Sequence, residues 1–179
     1  MINIQLFGGP GTGKSTTAAG LFYKMKSKDY KVEYIQEYAK ELTFGKDFTK
    51  LGDQVLILGE QHHRMHRLKD QVDFLIHDSP FVMGLSYLVE DPHVPKDIYA
   101  DLITTMFKSY NNINIFLERN VDELTYQEYG RSQSLEQAIE KDAEIKKILN
   151  DNDIPFITVK MGSKSIKKIM KIVKKLESK

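Results

Sequence analysis

With 179 residues and 41% hydrophobic content, the chain can bury one full core and is too short for two ordinary domains, so a single unit over 1–179 is expected. Its 26 Lys+Arg against 25 Asp+Glu leave a net charge of +1, which removes any global signal for a nucleic-acid or membrane partner and leaves such roles to local patches. The absence of Cys excludes disulfides, thiolate metal sites and a cysteine nucleophile; with no signal-peptide pattern and no apolar run of membrane-spanning length, a cytoplasmic protein is expected.

Residues 2–7, Ile-Asn-Ile-Gln-Leu-Phe, read as a short buried strand, and Gly8 to Thr16 follow at once. Gly8, then Gly13-Lys14-Ser15, fit the spacing G-x-x-x-x-G-K-S/T between a strand and a helix, which is a phosphate-binding loop. Glycines let successive N–H groups close on one spot at the positive end of a helix. Gly9, Gly11, Thr12 and Gly13 belong to that cradle, Lys14 reaches the β- and γ-phosphates of ATP, and the Ser15 hydroxyl is placed for Mg²⁺. Thr16 is a weaker candidate for the α-phosphate. The alternative is a tight strand-to-helix turn without a ligand.

Helical spacing continues from Ser15 to Lys26, and Lys31–Gln36 alternates as a second strand that turns into a short helix at Glu37–Leu42. Residues 44–49 read as a loop, and about 51–70 as one long helix. Val72–Asp78 is a largely apolar run, hence a buried parallel strand. Helices are expected near 82–89 and 96–110, separated by the turn 91–95. A strand follows at Asn114–Glu118, then a polar segment to Ser132, a helix from Ser134 to Asn150 with a loose capping-box relation of Gln133 to Glu136, a strand at Ile154–Val159, and a last helix at Ser163–Leu176. Alternating strands and helices imply an α/β fold, a parallel sheet covered on both faces, with ligands beyond the strands' C-terminal ends.

That rim collects the candidate chemistry. Asp78 ends a buried strand, where a carboxylate can hold Mg²⁺ or its water opposite Ser15; alternatively it only caps a helix. Glu37, at the end of the second strand, can accept a proton from a substrate hydroxyl or be an exposed acid in a helix's first turn. Arg119 and Arg131 flank a polar segment, about 119–133, with the composition of a lid that neutralises charge during phosphoryl transfer and excludes water; the plain alternative is solvated arginines paired with Glu118 or Glu128. His62 and His66 share a helical face but lack a third ligand, so a metal reading is not favoured. Phe44, Phe48 and Phe81 can stack on a base or pack in a core. The lysine-rich last helix opposes an apolar stripe and reads as a solvated face, with nucleic-acid contact as the alternative.

Taken together, the loop Gly8–Thr16, Gln36-Glu37-Tyr38-Ala39-Lys40-Glu41, Leu58-Gly59-Glu60-Gln61, Ile76-His77-Asp78-Ser79, and Gly130-Arg131-Ser132 ahead of Ile154-Pro155-Phe156-Ile157 resemble the nicotinamide riboside kinase domains of bacterial NAD-biosynthesis regulators. They also resemble the wider family of small P-loop ATPase and kinase domains, many of them phage-encoded. The resemblance covers most of the chain. It implies strand order 2-3-1-4-5 and ATP·Mg²⁺-dependent phosphorylation of a hydroxyl on a nucleoside- or nucleotide-like substrate, with Glu37 and Asp78 at the family's acidic positions and Arg131 on its lid. The chain departs from the family at Ser79-Pro80, where a second acid is common, and at Lys40, where an arginine is. Two other functions are open on the sequence: a kinase whose acceptor hydroxyl lies in DNA or RNA, including a modified base, and a nucleotide-dependent regulatory ATPase.

Overall fold

The computed structural model describes residues 1–89, 93–120 and 134–177. Five strands, β1 (Ile2–Phe7), β2 (Val32–Ile35), β3 (Phe74–His77), β4 (Asn112–Glu118) and β5 (Ile157–Lys160), form one sheet in the order β2-β3-β1-β4-β5. All four neighbouring pairs are parallel. The helices are α1 (Lys14–Lys26), α2 (Tyr38–Phe44), α3 (Phe48–Gly52), α4 (Gln54–His66), α5 (Lys96–Lys108), α6 (Leu135–Asp151) and α7 (Ser165–Glu177). This is the α/β architecture of P-loop kinases, with the strand order that the resemblance implied.

Side chains alternate across each strand, so the central strand serves two cores. Ile4 and Leu6 of β1 meet Ala18, Leu21 and Met25 of α1 and Ile169 and Val173 of α7. Phe7, with Leu75 and Phe116 of the flanking strands, meets Leu58 of α4, Phe107 of α5 and Leu149 of α6. Burial of each such side chain contributes about 1.5–3 kcal/mol relative to exposure. Both faces of the sheet are thereby covered, which leaves the strand ends as the place where polar side chains gather.

Several boundaries differ from the sequence expectations for identifiable reasons. The segment read as a loop at 44–49 runs into α3, and the long helix read at 51–70 is divided, because aspartates cap both pieces. Asp47 accepts from Lys50 N at 3.2 Å and Asp53 accepts from Leu56 N at 2.9 Å. Residues 81–87 form a 3₁₀ helix rather than the start of an α-helix, entered from Pro80, whose carbonyl accepts from Met83 N at 2.8 Å. β5 starts at Ile157 because Pro155 has no N–H for the ladder. At α6 the capping box is Ser134 with Gln137, not Gln133 with Glu136: Ser134 Oγ accepts from Gln137 N at 3.3 Å, and Gln137 Oε1 accepts from Ser134 N at 2.8 Å.

A buried polar group interrupts the second core. Asn3 and Gln5 of β1 lie beside His77 of β3 and Asn112 and Asn114 of β4 in parallel register. Gln5 Nε2 donates to Asn112 Oδ1 at 3.0 Å, Asn114 Nδ2 to the Pro155 carbonyl at 2.9 Å, and the His77 Nε2 contact with Asn3 Oδ1 spans 3.1 Å. Burial lowers the His77 pKa from 6.5 to about 3, so the folded protein holds a neutral ring. As pH falls below the unfolded value the denatured chain binds a proton that the native chain refuses, so stability declines by about 1.4 kcal/mol per pH unit. Urea unfolding of the wild type should therefore weaken more steeply below about pH 6.5 than that of His77→Gln; parallel pH dependences would show that the ring is not held neutral.

Candidate functional site

Between β1 and α1 the loop glycines adopt conformations that other residues resist. Gly13 caps α1 from the left-handed region, with φ 84°, and among the described residues no side chain caps the helix. The first amides of α1 are consequently left for an anion. Thr12 Oγ1 donates to the Gly9 carbonyl at 2.9 Å and closes the loop from within. Lys14 Nζ donates to the carbonyls of Gly8 at 2.7 Å and Gly9 at 3.2 Å, so the loop wraps its own lysine.

Burial pushes the Lys14 pKa down, while Glu37, Asp78 and Asp142 pull it up and Arg119 pushes it down. These charges come from five places in the chain: the start of α1, the turn into α2, the end of β3, the middle of α6 and the end of β4. The parallel sheet brings them to one rim. Glu37 precedes α2 with extended backbone, φ −63° and ψ 117°, and its side chain makes no capping bond among the described residues. Burial raises its pKa, Lys14 lowers it, Asp78 raises it further, and Lys40 and Ser79 nearby lower it. It is thus half-buried beside the loop lysine rather than a solvated first-turn acid.

Asp78 is 3% exposed and bonds to no helix amide among the described residues, so the capping alternative does not describe it. Its Oδ2 accepts from the Tyr34 hydroxyl at 2.6 Å, and its Oδ1 is buried with no hydrogen-bond partner among the described residues. A buried carboxylate oxygen without a partner is costly unless a cation, water or donor completes it. Burial and the hydrogen bond to Asp78 raise the Tyr34 pKa, so this phenol stays a donor. Ser15 and Thr16 are exposed at the loop's end.

Arg119 sits against the loop. Its Nε donates to Asp142 Oδ2 at 3.1 Å and its Nη2 to the Pro10 carbonyl at 2.8 Å, with the side chain 8% exposed. Asp142 Oδ1 in turn accepts from Gly9 N at 2.5 Å. Arginine and aspartate together brace the loop's outer side. Arg131 and the rest of 121–133 lie outside the described residues.

Below Glu37, Arg64 of α4 holds α2 in place. It pairs with both carboxylate oxygens of Glu41 at 2.6 and 2.7 Å, donates to Glu60 at 2.9 Å, and lies over the Tyr38 ring at 4.9 Å. Of the aromatics open to either reading, Phe81 is core at 7% exposure, whereas Phe44 and Phe48 are 77% and 65% exposed. Lys40 stands 6.0 Å over the Phe44 ring. His62 and His66 stack on each other at 5.7 Å, and no group of three metal-spaced His, Asp or Glu side chains occurs among the described residues. Among those residues, too, no helix is long and apolar enough to cross a membrane.

A family model described as AAA domain matches residues 3–166. The chain belongs to that AAA domain family. Its fold resembles deoxyadenosine kinase from M. mycoides: the structure with bound dATP is 19% identical and covers 96% of this chain and 99% of that one, with a TM-score of 0.60. The structure of that kinase with bound dCTP is also 19% identical, covering 99% and 100%, with a TM-score of 0.56. At that identity the likeness is one of fold. No curated protein matches the sequence significantly.

Gly9 shows how tightly the AAA domain closes over its loop. A Cβ there would lie 2.7 Å from both the Ala138 carbonyl and Asp142 Oδ1. Gly9→Ala should therefore push α6 off the loop, lower stability by about 1–3 kcal/mol and weaken nucleotide binding, read by urea unfolding and by titration with a fluorescent ATP analogue. Unchanged stability and binding would show that α6 does not brace the loop.

Proposed function

We propose that the chain is an ATP- and Mg²⁺-dependent phosphotransferase that phosphorylates a hydroxyl of a nucleoside- or nucleotide-like acceptor, with all of 1–179 acting as one domain. The observation that carries this reading is the convergence of Glu37 and Asp78 on Lys14 at the loop. An ATPase needs the loop, a cation and a positioned water. A kinase needs in addition a protein base facing a second substrate, and Glu37 supplies a half-buried carboxylate with its pKa raised toward the range useful for accepting a proton.

In this mechanism Gly9, Gly11, Thr12, Gly13 and Thr16 hold the phosphates of ATP, and Lys14 leaves the Gly8 and Gly9 carbonyls to engage the transferred group. Ser15 and Asp78 are the residues that would hold Mg²⁺, and the partnerless Asp78 Oδ1 fits that use. Bound there, Mg²⁺ supplies charge neutralisation on the β- and γ-phosphates. Glu37 takes the proton of the acceptor hydroxyl as the acceptor oxygen attacks the γ-phosphorus in line, and the bond from that phosphorus to the ADP oxygen breaks as ADP leaves. Arg119 is proposed to act beside the loop and Arg131 on a lid of about 119–133 that excludes water.

A nicotinamide riboside-like acceptor is the finer form of the proposal, motivated by the ordered motifs around Glu37, Asp78 and Arg131. The deoxyadenosine kinase with the similar fold binds dATP and dCTP, which supports a nucleoside-class acceptor. A nucleic-acid acceptor has one favouring observation: Lys167, Lys168 and Lys171 form an exposed basic face on α7 opposite buried Ile169 and Val173.

γ-Labelled ATP should transfer its label to a free nucleoside in a panel of nucleosides, nicotinamide riboside, mononucleotides and oligonucleotides. Lys14→Ala should lose transfer by about 10²–10³-fold with its unfolding transition preserved. Label confined to oligonucleotides, with steep salt dependence, would favour the nucleic-acid acceptor; phosphate release without any labelled acceptor would favour a regulatory ATPase. Wild-type transfer by Lys14→Ala would overturn the assignment.

A further inference from the structure

Tyr34 stands in β2, an edge strand, three residues before Glu37. Its ring packs against the core on the α1 side and lies tilted against Phe22 with centroids 6.5 Å apart. The ring is therefore held by packing, and its hydroxyl has a defined position. That hydroxyl donates to Asp78 Oδ2 at 2.6 Å. A carboxylate only accepts, so the phenol proton goes to Asp78.

We propose that Tyr34 is a positioning residue for the cation that accompanies the nucleotide, acting through a Tyr34 to Asp78 relay. With Oδ2 occupied by Tyr34, Asp78 keeps Oδ1, the buried oxygen that has no hydrogen-bond partner among the described residues. One phenol thus settles which oxygen of Asp78 is offered. Residues that hold metal ligands from behind in this way are worth a large part of the site's affinity although they never touch the ion. This inference rests on the proposed Ser15 and Asp78 cation site.

Tyr34→Phe keeps the packed ring and removes only the hydroxyl, so it separates the relay from core filling. Binding of Mn²⁺ in the presence of a non-hydrolysable ATP analogue, followed by electron paramagnetic resonance, reads the site without turnover. Tyr34→Phe should weaken Mn²⁺ by about 10–100-fold, with metal-free analogue affinity in EDTA as in the wild type. In the Asp78→Ala background the same change should cost less, because the carboxylate that Tyr34 orients is already gone. Wild-type Mn²⁺ affinity in Tyr34→Phe, or fully additive losses in the double variant, would overturn the relay while leaving the proposed function standing. A wild-type protein that takes up no Mn²⁺ with the analogue would overturn both.

Discussion

The loop lysine is an ammonium ion largely removed from water, and the rim of the sheet is arranged around that constraint. Such a charge is costly unless carbonyls and carboxylates replace its hydration. Lys14 has the Gly8 and Gly9 carbonyls at hydrogen-bond distance and Glu37, Asp78 and Asp142 as its favourable charges. Those carboxylates come from distant parts of the chain, and only a parallel sheet with β3 and β1 adjacent brings the end of β3 beside the loop that follows β1. The topology is thus what makes the charged rim possible, and the charged rim is what holds the loop ready.

The three carboxylates have different surroundings and therefore suit different work. Asp142 is committed to the protein itself, bonded to Gly9 N and to Arg119 on the loop's outer side. Asp78 is committed on one oxygen to Tyr34 and has the other buried and unpartnered. Glu37 has the pKa raised by burial, opposed by Lys14. The proposed roles of brace, cation ligand and proton acceptor rest on those environments rather than on the carboxylate that the three share. Arg64, gripping Glu41 and stacking on Tyr38, keeps the turn that carries Glu37 from drifting away from the lysine.

Local features were legible in the sequence, and relations between distant segments mostly were not. The phosphate loop has its chemistry in consecutive residues, and the strands before it and at Asp78 are apolar runs that announce burial. The strand order came from the resemblance, since periodicity carries no information on which strands are neighbours. Asp142 was missed, although it lies in the stripe Ala138, Asp142, Ile145, Leu149; a carboxylate on the face that a helix buries is the signal that would have found it. Tyr34 gave no such signal, because an aromatic in a strand is ordinary and its partners lie on α1 and β3. α3 was hidden because five residues are too few to show a helical period, while the capping aspartates Asp47 and Asp53 that delimit it were visible and went unused.

In the proposed function Glu37 belongs to the acceptor half of the site and not to the nucleotide half. Glu37→Gln keeps the side chain's size and hydrogen bonding while removing its ability to take a proton. The decisive measurement is its rate of label transfer from γ-labelled ATP as a function of pH, alongside its affinity for a non-hydrolysable ATP analogue. Analogue binding should stay close to that of the wild type, transfer should fall by about 10²–10⁴-fold, and the acidic limb that the wild type shows as Glu37 protonates should be lost. Transfer at the wild-type rate with an unchanged pH profile would contradict that role for Glu37.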